Sequence, residues 1–383
     1  RGLDGSGRDP RQHRTERSRP EDMTFLIAAA GTGGHVFPGL SVGEALVDLG
    51  IPGEDIVFVG GDRLEATVYP SEGYRFLQVE LAGLKRSFTL GNARLPGVVL
   101  RARRRIADEI VQLGVKVVLG MGGYVTIPAA LAARKRRVPF FNSEQNAEAG
   151  LANKLTARWA EASFVSFPKT GGLPQGIWVG NPVRKAFWSF DRESLQPEAL
   201  RRYELTSETP VVGVFGGSLG AGSINEAVAA MAERWSGPEI QMIHLTGSAH
   251  PALLEPRSAA EPVTWRRREF EDRMDLFFAA SDVVISRSGG AVAELTATGT
   301  PSILVPGQFG SGGHQDANAK FLAESGTAVI LGEDELDRLS GVVADLVDNP
   351  EKLAEMAAAA SAIAKPHAAH TIARTMIEAA TTR

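Results

Sequence analysis

Cysteine is absent from the 383-residue chain, which excludes disulfide bonds, thiolate metal sites and cysteine nucleophiles. Long apolar runs are missing as well, since no segment approaches the about 18 to 20 apolar residues of a membrane-spanning helix. Positive charge is not in excess: 41 Lys and Arg stand against 45 Asp and Glu, a formal net charge of −4. The charge balance therefore does not indicate nucleic-acid binding, and a soluble or peripheral protein is predicted.

The first 22 residues contain six Arg and almost no apolar side chains. Such a segment cannot bury apolar surface, so we expect residues 1–22 to be a disordered extension or a tag. It also lacks the apolar stretch of a signal peptide. Nowhere does the sequence contain H-E-x-x-H or D-x-D, so we expect neither a dedicated metal site nor a cofactor.

From Met23 onward, short apolar segments alternate with stretches of helical periodicity. This alternation predicts an α/β protein with parallel sheets and crossover helices. The pattern restarts near residue 211 after a polar, proline-containing stretch, which predicts two doubly wound Rossmann-like domains facing a cleft. The predicted parts are an N-terminal domain at 23–180, a linker at 181–210, a C-terminal domain at 211–360 and, at 361–383, a helix returning toward the N-terminal domain.

A glycine cluster follows the first apolar segment of each half: GTGG at 31–34 and GGSLGAG at 216–222. Glycines let backbone amides approach an anion, and the helix that follows adds the positive end of its dipole. The pair therefore predicts anion binding at equivalent positions of two facing domains. The second cluster also contains the G-x-S-x-G pattern of a hydrolase, but no suitably ordered acid and histidine follow it, so phosphate binding is favoured.

Seven segments carry a resemblance that runs from Met23 to about residue 380. They are GTGGHVFPGL (31–40), GMGGYVTIPAALAA (120–133), SEQNAEAGLANKL (143–155), GNPVR (180–184), FGGSLGAGSIN (215–225), SDVVISRSGGAVAEL (281–295) and HQDANAKFL (314–322). In this order they resemble the MurG family, the peripheral membrane glycosyltransferases of bacterial peptidoglycan synthesis. Members move GlcNAc from UDP-GlcNAc to lipid I, the undecaprenyl-pyrophosphoryl-MurNAc-pentapeptide, which gives lipid II.

The resemblance implies a GT-B fold and an inverting N-acetylglucosaminyltransferase that does not need a metal in its site. Between Arg287 and Glu294 the chain reads SGGAVA, one residue shorter than the usual family pattern. Alternative interpretations within the architecture are a transferase for another lipid or a small-molecule acceptor, a UDP-GlcNAc epimerase, and a catalytically silent nucleotide-sugar binding protein.

Roles for individual residues follow from the resemblance. His35 or Glu144 would be the general base for the 4-hydroxyl of MurNAc, because imidazole and carboxylate groups can accept its proton. Glu294 would accept hydrogen bonds from the ribose, and Gln315 would read the GlcNAc hydroxyls and acetamido group. Other implied donor-binding residues are Thr32, Gly33, Gly34, Asn146, Arg184, Ser218, Glu271, Gly290 and Ala291. Further donor or acceptor contacts are implied for Gly217, Gly220, His314, Asn318, Tyr124 and Thr126.

Each leading residue also has a structural alternative. His35 could cap its helix, and Glu144 could be a structural carboxylate at a strand end. Arg184 could form a surface ion pair, and core packing would explain Tyr124 almost as well.

Residues 81–107 carry seven Lys or Arg and no acid, interleaved with Leu, Val and Phe. A solvated helix face would explain this composition. An amphipathic surface on anionic lipid is favoured, because the implied acceptor is a polyprenyl lipid. The sequence thus predicts UDP-GlcNAc, lipid I and an anionic membrane surface as partners, no nucleic acid, and a peripheral location on the cytoplasmic face of the membrane.

Overall fold

The computed structural model describes residues 23–80, 95–217, 219–250, 263–307 and 313–382. Three of the sequence predictions fall at least partly outside these ranges: the extension at 1–22, Ser218, and the part of the lipid-facing segment at 81–94.

The N-terminal half alternates strands and helices. Its strands are β1 (Thr24–Ala28), β2 (Ile56–Gly60), β3 (Arg75–Gln78), β4 (Val115–Gly120), β5 (Phe140–Glu144), β6 (Ala162–Val165) and β7 (Ile177–Trp178). Its helices are α1 (Gly33–Asp48), α2 (Glu65–Ser71), α3 (Leu95–Gln112), α4 (Thr126–Arg136) and α5 (Leu151–Thr156), with 3₁₀ turns at Gly53–Asp55 and Ala157–Trp159. The seven strands form one parallel sheet in the order β3-β2-β1-β4-β5-β6-β7. Strands β2 and β5 are buried along their whole length because helices cover both faces of the sheet.

The connection to the second half is partly helical. A 3₁₀ turn at Lys185–Phe187 precedes α6 (Arg192–Tyr203), whose Arg192 donates hydrogen bonds to the carbonyls of Phe278 and Ser281, both at 2.7 Å. Helix α6 is therefore fastened to the C-terminal half, although the polar composition of 181–210 predicted a linker. Composition could not reveal this, because the carbonyls that hold the guanidinium are about 90 residues away in sequence.

The C-terminal half repeats the alternation of strands and helices. Its strands are β8 (Val211–Phe215), β9 (Gln241–Leu245), β10 (Thr264–Arg268), β11 (Val283–Ser286), β12 (Ser302–Leu304) and β13 (Ala328–Ile330). Its helices are α7 (Gly222–Arg234), α8 (Met274–Ala280), α9 (Ala291–Ala297), α10 (His314–Glu324), α11 (Leu339–Val347) and α12 (Pro350–Ile363), with a 3₁₀ turn at Glu333–Arg338. The sheet is parallel in the order β10-β9-β8-β11-β12-β13.

Both sheets have the doubly wound order of a Rossmann-like domain, which confirms the predicted α/β class. The last helix, α13 (Ala368–Thr381), returns to the N-terminal half and packs on α1. There the Nε2 atom of His370 lies 3.0 Å from the Asp48 carboxylate, and the Trp188 ring meets the imidazole edge-on at 4.3 Å. The chain thus crosses between the two halves twice, once before α6 and once before α13.

Candidate active site

Loops at the carboxyl ends of the two sheets meet in the space between the domains. Ligands of doubly wound folds bind at this edge of the sheet. The turn after β1 and the turn after β11 approach so closely that a Cβ atom on Gly290 would lie 4.0 Å from the Cα atom of Gly34. Thr32 and Gly33 border the first turn, while Gly290 caps α9 and Ala291 begins it. These predicted residues are therefore brought to one cleft.

The first glycine loop is held from behind by Glu65, a residue that the sequence analysis missed. Its carboxylate accepts hydrogen bonds from the amides of Gly31 at 3.1 Å and Gly61 at 2.9 Å, and the side chain is buried. The Gly31 amide is thus occupied, and anion binding by this loop falls to the amides that follow. An acid in the first turn of the helix after β2 was the available sequence signal.

His35 lies in the first turn of α1 and is half-buried beside the loop after β4. Gly122 makes room for it: a Cβ atom there would lie 3.0 Å from the imidazole Nε2. Burial lowers the pKa of His35, the charges of Glu144 and Glu65 oppose that shift, and His314 adds to it. The imidazole is therefore neutral at neutral pH and can accept a proton. On the other side of the ring, Nδ1 lies 3.4 Å from the Thr32 hydroxyl.

Glu144, the alternative base, ends β5 and is buried. Oε1 accepts hydrogen bonds from the amide and side chain of Asn146 at 3.0 and 3.1 Å, and Oε2 accepts from the Gly150 amide at 2.9 Å and Asn153 at 2.8 Å. Four donors inside the protein thus engage both oxygens. This geometry favours a role in holding the loop at 145–150 and makes His35 the stronger candidate base.

Tyr124, in the loop after β4, and Thr126, the first residue of α4, have different environments. Tyr124 is exposed at the end of the loop, where it can contact a ligand in the cleft. Thr126 is fully buried, and its hydroxyl donates a hydrogen bond to the Gly122 carbonyl at 2.8 Å. Thr126 therefore supports the loop that makes room for His35.

Gly217 and Gly220 lie in the second glycine loop, where the Gly220 amide donates to the Gly217 carbonyl at 2.9 Å. The helix after this loop is tied to the neighbouring turn by Arg287, which the sequence analysis did not single out. Its guanidinium donates to the Ser223 hydroxyl at 2.9 Å and pairs with Glu333. This network fixes the start of α7 against the end of β11, on the side where a phosphate would lie.

Glu294 and Arg184 form an ion pair at the domain boundary, with Nε of Arg184 3.2 Å from Oε1 of Glu294. Burial raises the pKa of Glu294, and the positive charge of Arg184 opposes that shift. The guanidinium also lies over the Phe37 ring of α1, 5.3 Å from its centroid. Arg184 therefore contacts both domains at the position predicted for the donor ribose.

Helix α10 contributes three predicted residues from one face. The Gln315 side-chain oxygen accepts from the Gly307 amide at 2.8 Å, and its NH₂ group has no partner among the described residues. The Nδ1 atom of His314 is buried and likewise has no hydrogen-bond partner among the described residues. Asn318 is fully buried and bonds to the other domain. The first turn of α10 is thus the part that can meet a ligand.

Glu271 is committed to the protein itself. Its carboxylate accepts from Arg202 and the Tyr203 hydroxyl, each at 2.7 Å, and from the Arg273 amide at 2.9 Å. Burial would raise the pKa of Glu271, but these hydrogen bonds lower it to about 2. Any ligand contact here falls to the backbone or to the neighbouring Phe270, whose ring is exposed.

Within the described ranges, no group of three or more His, Asp or Glu side chains is arranged to hold a metal ion. Over the same ranges, no helix has both the length and the apolar character needed to cross a membrane.

Comparison with known proteins matches both halves of the chain. The model of the glycosyltransferase family 28 N-terminal domain matches residues 25–165, and that of the family 28 C-terminal domain matches residues 211–372. A relative from Mycolicibacterium paratuberculosis is 38% identical over 368 residues, covering 94% of this chain and 89% of its own. It is named UDP-N-acetylglucosamine--N-acetylmuramyl-(pentapeptide) pyrophosphoryl-undecaprenol N-acetylglucosamine transferase.

Two solved structures are similar to the whole chain. The crystal structure of Acinetobacter baumannii MurG has a TM-score of 0.74 at 27% identity and covers 93% of this chain and 99% of its own. A UDP-GlcNAc 2-epimerase from Neisseria meningitidis, bound to UDP-GlcNAc, has a TM-score of 0.64 at 15% identity and covers 93% and 100%. The second likeness concerns the fold alone, because the architecture is common to transferases and epimerases.

Proposed function

The chain belongs to glycosyltransferase family 28, and we propose that its cleft carries out the reaction for which its relatives are named. That reaction is the transfer of GlcNAc from UDP-GlcNAc to lipid I, which forms the lipid II of peptidoglycan synthesis. The observation that carries the proposal is the extent of the match. It spans the acceptor-side domain as well as the donor-side domain, at 38% identity over 94% of the chain.

The donor is assigned to the C-terminal domain. The diphosphate would lie on the second glycine loop, between Gly217 and Ala221 and including Ser218, at the positive end of the α7 dipole. Glu294 would accept hydrogen bonds from vicinal ribose hydroxyls, one oxygen for each. Because Arg184 already occupies one of these oxygens, it must move partly aside when the ribose binds. A guanidinium released in this way is placed to meet the diphosphate.

The sugar is assigned to the junction of α9 and α10. Among the described residues, neither the NH₂ group of Gln315 nor the Nδ1 atom of His314 has a partner, and we assign these two groups to GlcNAc. The amides of Gly290 and Ala291 begin α9 and would meet the sugar or the phosphate beside it. Asn146, which Glu144 holds in place, lies at this junction from the other domain, where its side-chain oxygen is 3.4 Å from Nδ2 of Asn318.

The acceptor is assigned to the N-terminal domain, with its pyrophosphate near Gly33, Gly34 and Thr32. In the proposed step the 4-hydroxyl of MurNAc attacks the anomeric carbon of GlcNAc from the face opposite UDP. The bond to the UDP oxygen breaks, and His35 takes the hydroxyl proton. Backbone amides and the α7 dipole stabilise the negative charge that develops on UDP. One inversion at the anomeric carbon follows from this single displacement.

We further infer that the protein works on the cytoplasmic face of the membrane, attached through residues 81–107. Along the described part of this segment, Leu100 is exposed on α3, and the exposed Arg101 and Arg104 follow it along the helix. An exposed apolar side chain next to cations is suited to the surface of an anionic bilayer.

Labelled UDP-GlcNAc incubated with and without a lipid I analogue tests the proposed function. We expect UDP release that requires the MurNAc lipid and a disaccharide product. Turnover with a diacylglycerol acceptor instead would make the protein a transferase of another lipid. Interconversion of the donor without any acceptor would make it an epimerase.

A further inference from the structure

A small cavity lies where the two chain crossings between the domains meet. The first crossing follows β7 and includes Gly180 and Asn181, and the second follows α12 and includes Lys365. Gly180 has a φ of +91°, and a Cβ atom there would collide with the side chain of Lys365. Only glycine therefore lets the two crossings pack this closely, and both of them line the cavity.

Both domains complete the walls of the cavity. From the N-terminal half come Gln145, in the loop after β5, and Phe167, while Thr296 of α9 and Phe321 of α10 come from the C-terminal half. The rings of Phe167 and Phe321 meet edge to face across the domain boundary, with 5.2 Å between their centroids. A movement of one domain against the other therefore changes the shape of this cavity.

Two buried amide oxygens belong to the lining. They are Oε1 of Gln145 and Oδ1 of Asn181, in residues that are 4% and 6% exposed. Among the described residues, neither oxygen has a hydrogen-bond donor. A buried acceptor without a donor is destabilising, and native proteins almost always supply one. The pair therefore indicates an occupant that carries two donors.

Other polar side chains of the lining donate elsewhere. The Ser166 hydroxyl donates to the Glu144 carbonyl at 2.8 Å. The Thr296 hydroxyl donates to the Ala293 carbonyl one turn earlier in α9, at 3.0 Å. The indole N–H of Trp178 donates to the Ser166 carbonyl at 3.1 Å. These groups cannot also serve the two amide oxygens.

Size and charge decide what the occupant is. The cavity volume is about 30 Å³, whereas about 10 to 15 Å³ suffices for one water molecule and about 150 Å³ is needed for a benzene ring. A cation would be repelled by Lys365, whose Nζ atom lies 4.4 Å from the centroid of the Trp178 ring, and the described lining residues include no acid to compensate. An anion has no donor to offer to the two oxygens. Water is the neutral molecule that fits.

We propose that this cavity is a water site at the hinge, where one bound water donates a hydrogen bond to Gln145 and another to Asn181. The water ties the loop at 145–150 to the first crossing, and α9 and α10 cover it from the other domain. The hinge and the loop at the cleft are thus joined through a ligand that can reorient. This inference does not depend on the proposed function.

A crystal structure of the wild type at about 1.5 Å tests the site directly. We expect electron density for a water within about 3.2 Å of both Oε1 of Gln145 and Oδ1 of Asn181. A cavity without density would overturn the proposal, as would the Lys365 ammonium placed between the two oxygens.

The sign of a change in Tm tests the same site in solution. In Asn181→Leu the water loses one of its acceptors, so we expect Tm to fall by about 2 to 4 °C. If no water were bound, Leu would instead remove an unpaired acceptor, and Tm would rise. Thr296→Val is the matched control in the opposite wall, because its hydroxyl proton is already donated within α9, and its Tm should change by less than about 2 °C. If Asn181→Leu does not fold, the wild-type crystal structure decides alone.

A double-mutant cycle tests whether one water serves both oxygens. Gln145→Met removes the second acceptor, together with the bond from Nε2 to the Ser143 carbonyl. With a shared water, the double variant should lose less stability than the sum of the two single variants, by about 2 °C or more in Tm. Additive losses would overturn the shared site. Density and Tm do not involve the reaction, so a failure of the proposed function appears separately, as absence of GlcNAc transfer by the wild type.

Discussion

Replacing Glu144 by Gln distinguishes a loop anchor from a catalytic base. In the wild type each carboxylate oxygen accepts two hydrogen bonds from the loop and from α5, and the side chain is 2% exposed. A Gln can satisfy one pair of donors with its oxygen, but its NH₂ group must then face the other pair. The substitution leaves about two buried donors without an acceptor.

The expected magnitude follows from that count. An unsatisfied buried donor costs about 1 to 3 kcal/mol, so Glu144→Gln should lower the free energy of unfolding by about 3 kcal/mol. For a domain of this size the loss corresponds to a decrease in Tm of about 10 °C. Glu148→Gln is the matched control in the same loop, since Glu148 makes an exposed ion pair with Lys154 at 3.8 Å. Its effect should stay within about 0.5 kcal/mol.

Differential scanning calorimetry measures the stability of both variants, and transfer assays at a temperature well below both transitions measure kcat. We expect Glu144→Gln to be destabilised and to lose less activity than His35→Ala. The reasoning would be refuted by a Glu144→Gln protein that melts with the wild type but has lost about a thousandfold or more in kcat. That result would assign the proton transfer to Glu144.

Three further predictions concern the cleft, and a fourth concerns a buried histidine. His35→Ala should lower kcat by about 10²- to 10⁴-fold with little change in the Kd of UDP. Burial depresses the pKa of His35 below 6.5, so kcat/KM should fall at acidic pH as the imidazole takes up a proton. Because the charge of Glu65 opposes this depression, Glu65→Gln should shift the acidic limb of the pH profile to lower pH. An acidic limb that does not move would contradict this electrostatic role of Glu65. Glu294→Ala should raise the donor KM by about 10- to 100-fold through lost ribose hydrogen bonds, and an unchanged KM would refute the assignment. Burial, with Arg267 and His250, lowers the pKa of His244 to about 3, so the native state stays neutral while the unfolded chain takes up a proton below about 6.5. The free energy of unfolding therefore falls by about 1.4 kcal/mol for each pH unit below about 6.5. Urea unfolding between pH 6.5 and 4.5 measures this slope, and His244→Gln should remove it. Equal slopes in the wild type and the variant would contradict the prediction.

The architecture could be predicted from the sequence because local hydrophobic periodicity indicates the strands and helices. Strand β2 reads IVFVG and is buried throughout, which is how a strand covered on both faces must read. The restart at residue 211 likewise predicted the second sheet, and the repeated strand order confirms it. The attachment of helix α6 to the C-terminal half was not predicted, because its polar surface resembles a linker and because the attachment depends on Arg192 reaching carbonyls that are distant in sequence.

Site residues were predictable as residue types but not as partners. Glu144 and Glu271 are both carboxylates near loop ends, yet four donors engage the oxygens of Glu144 and five engage those of Glu271, so both carboxylates are committed to the protein. Glu65 supports the first glycine loop, and nothing near it in sequence resembles a site motif. For Glu271, Arg202 and Tyr203 donate from nearly 70 positions away in sequence. For Glu144 the donors lie within nine residues, but only the folded loop turns them toward the carboxylate.

The sequence by itself determined the two parallel sheets, the glycine turns at their carboxyl ends and the family, because each of these is encoded within a few tens of residues. The tertiary structure decided which polar groups remain free. It placed Gly34 opposite Gly290, paired Arg184 with Glu294, and enclosed Asn318 between two domains whose contacting residues lie 171 positions apart. The physical reason is that hydrogen-bond capacity and burial are properties of the assembled neighbourhood, and no local pattern specifies which distant group will use them.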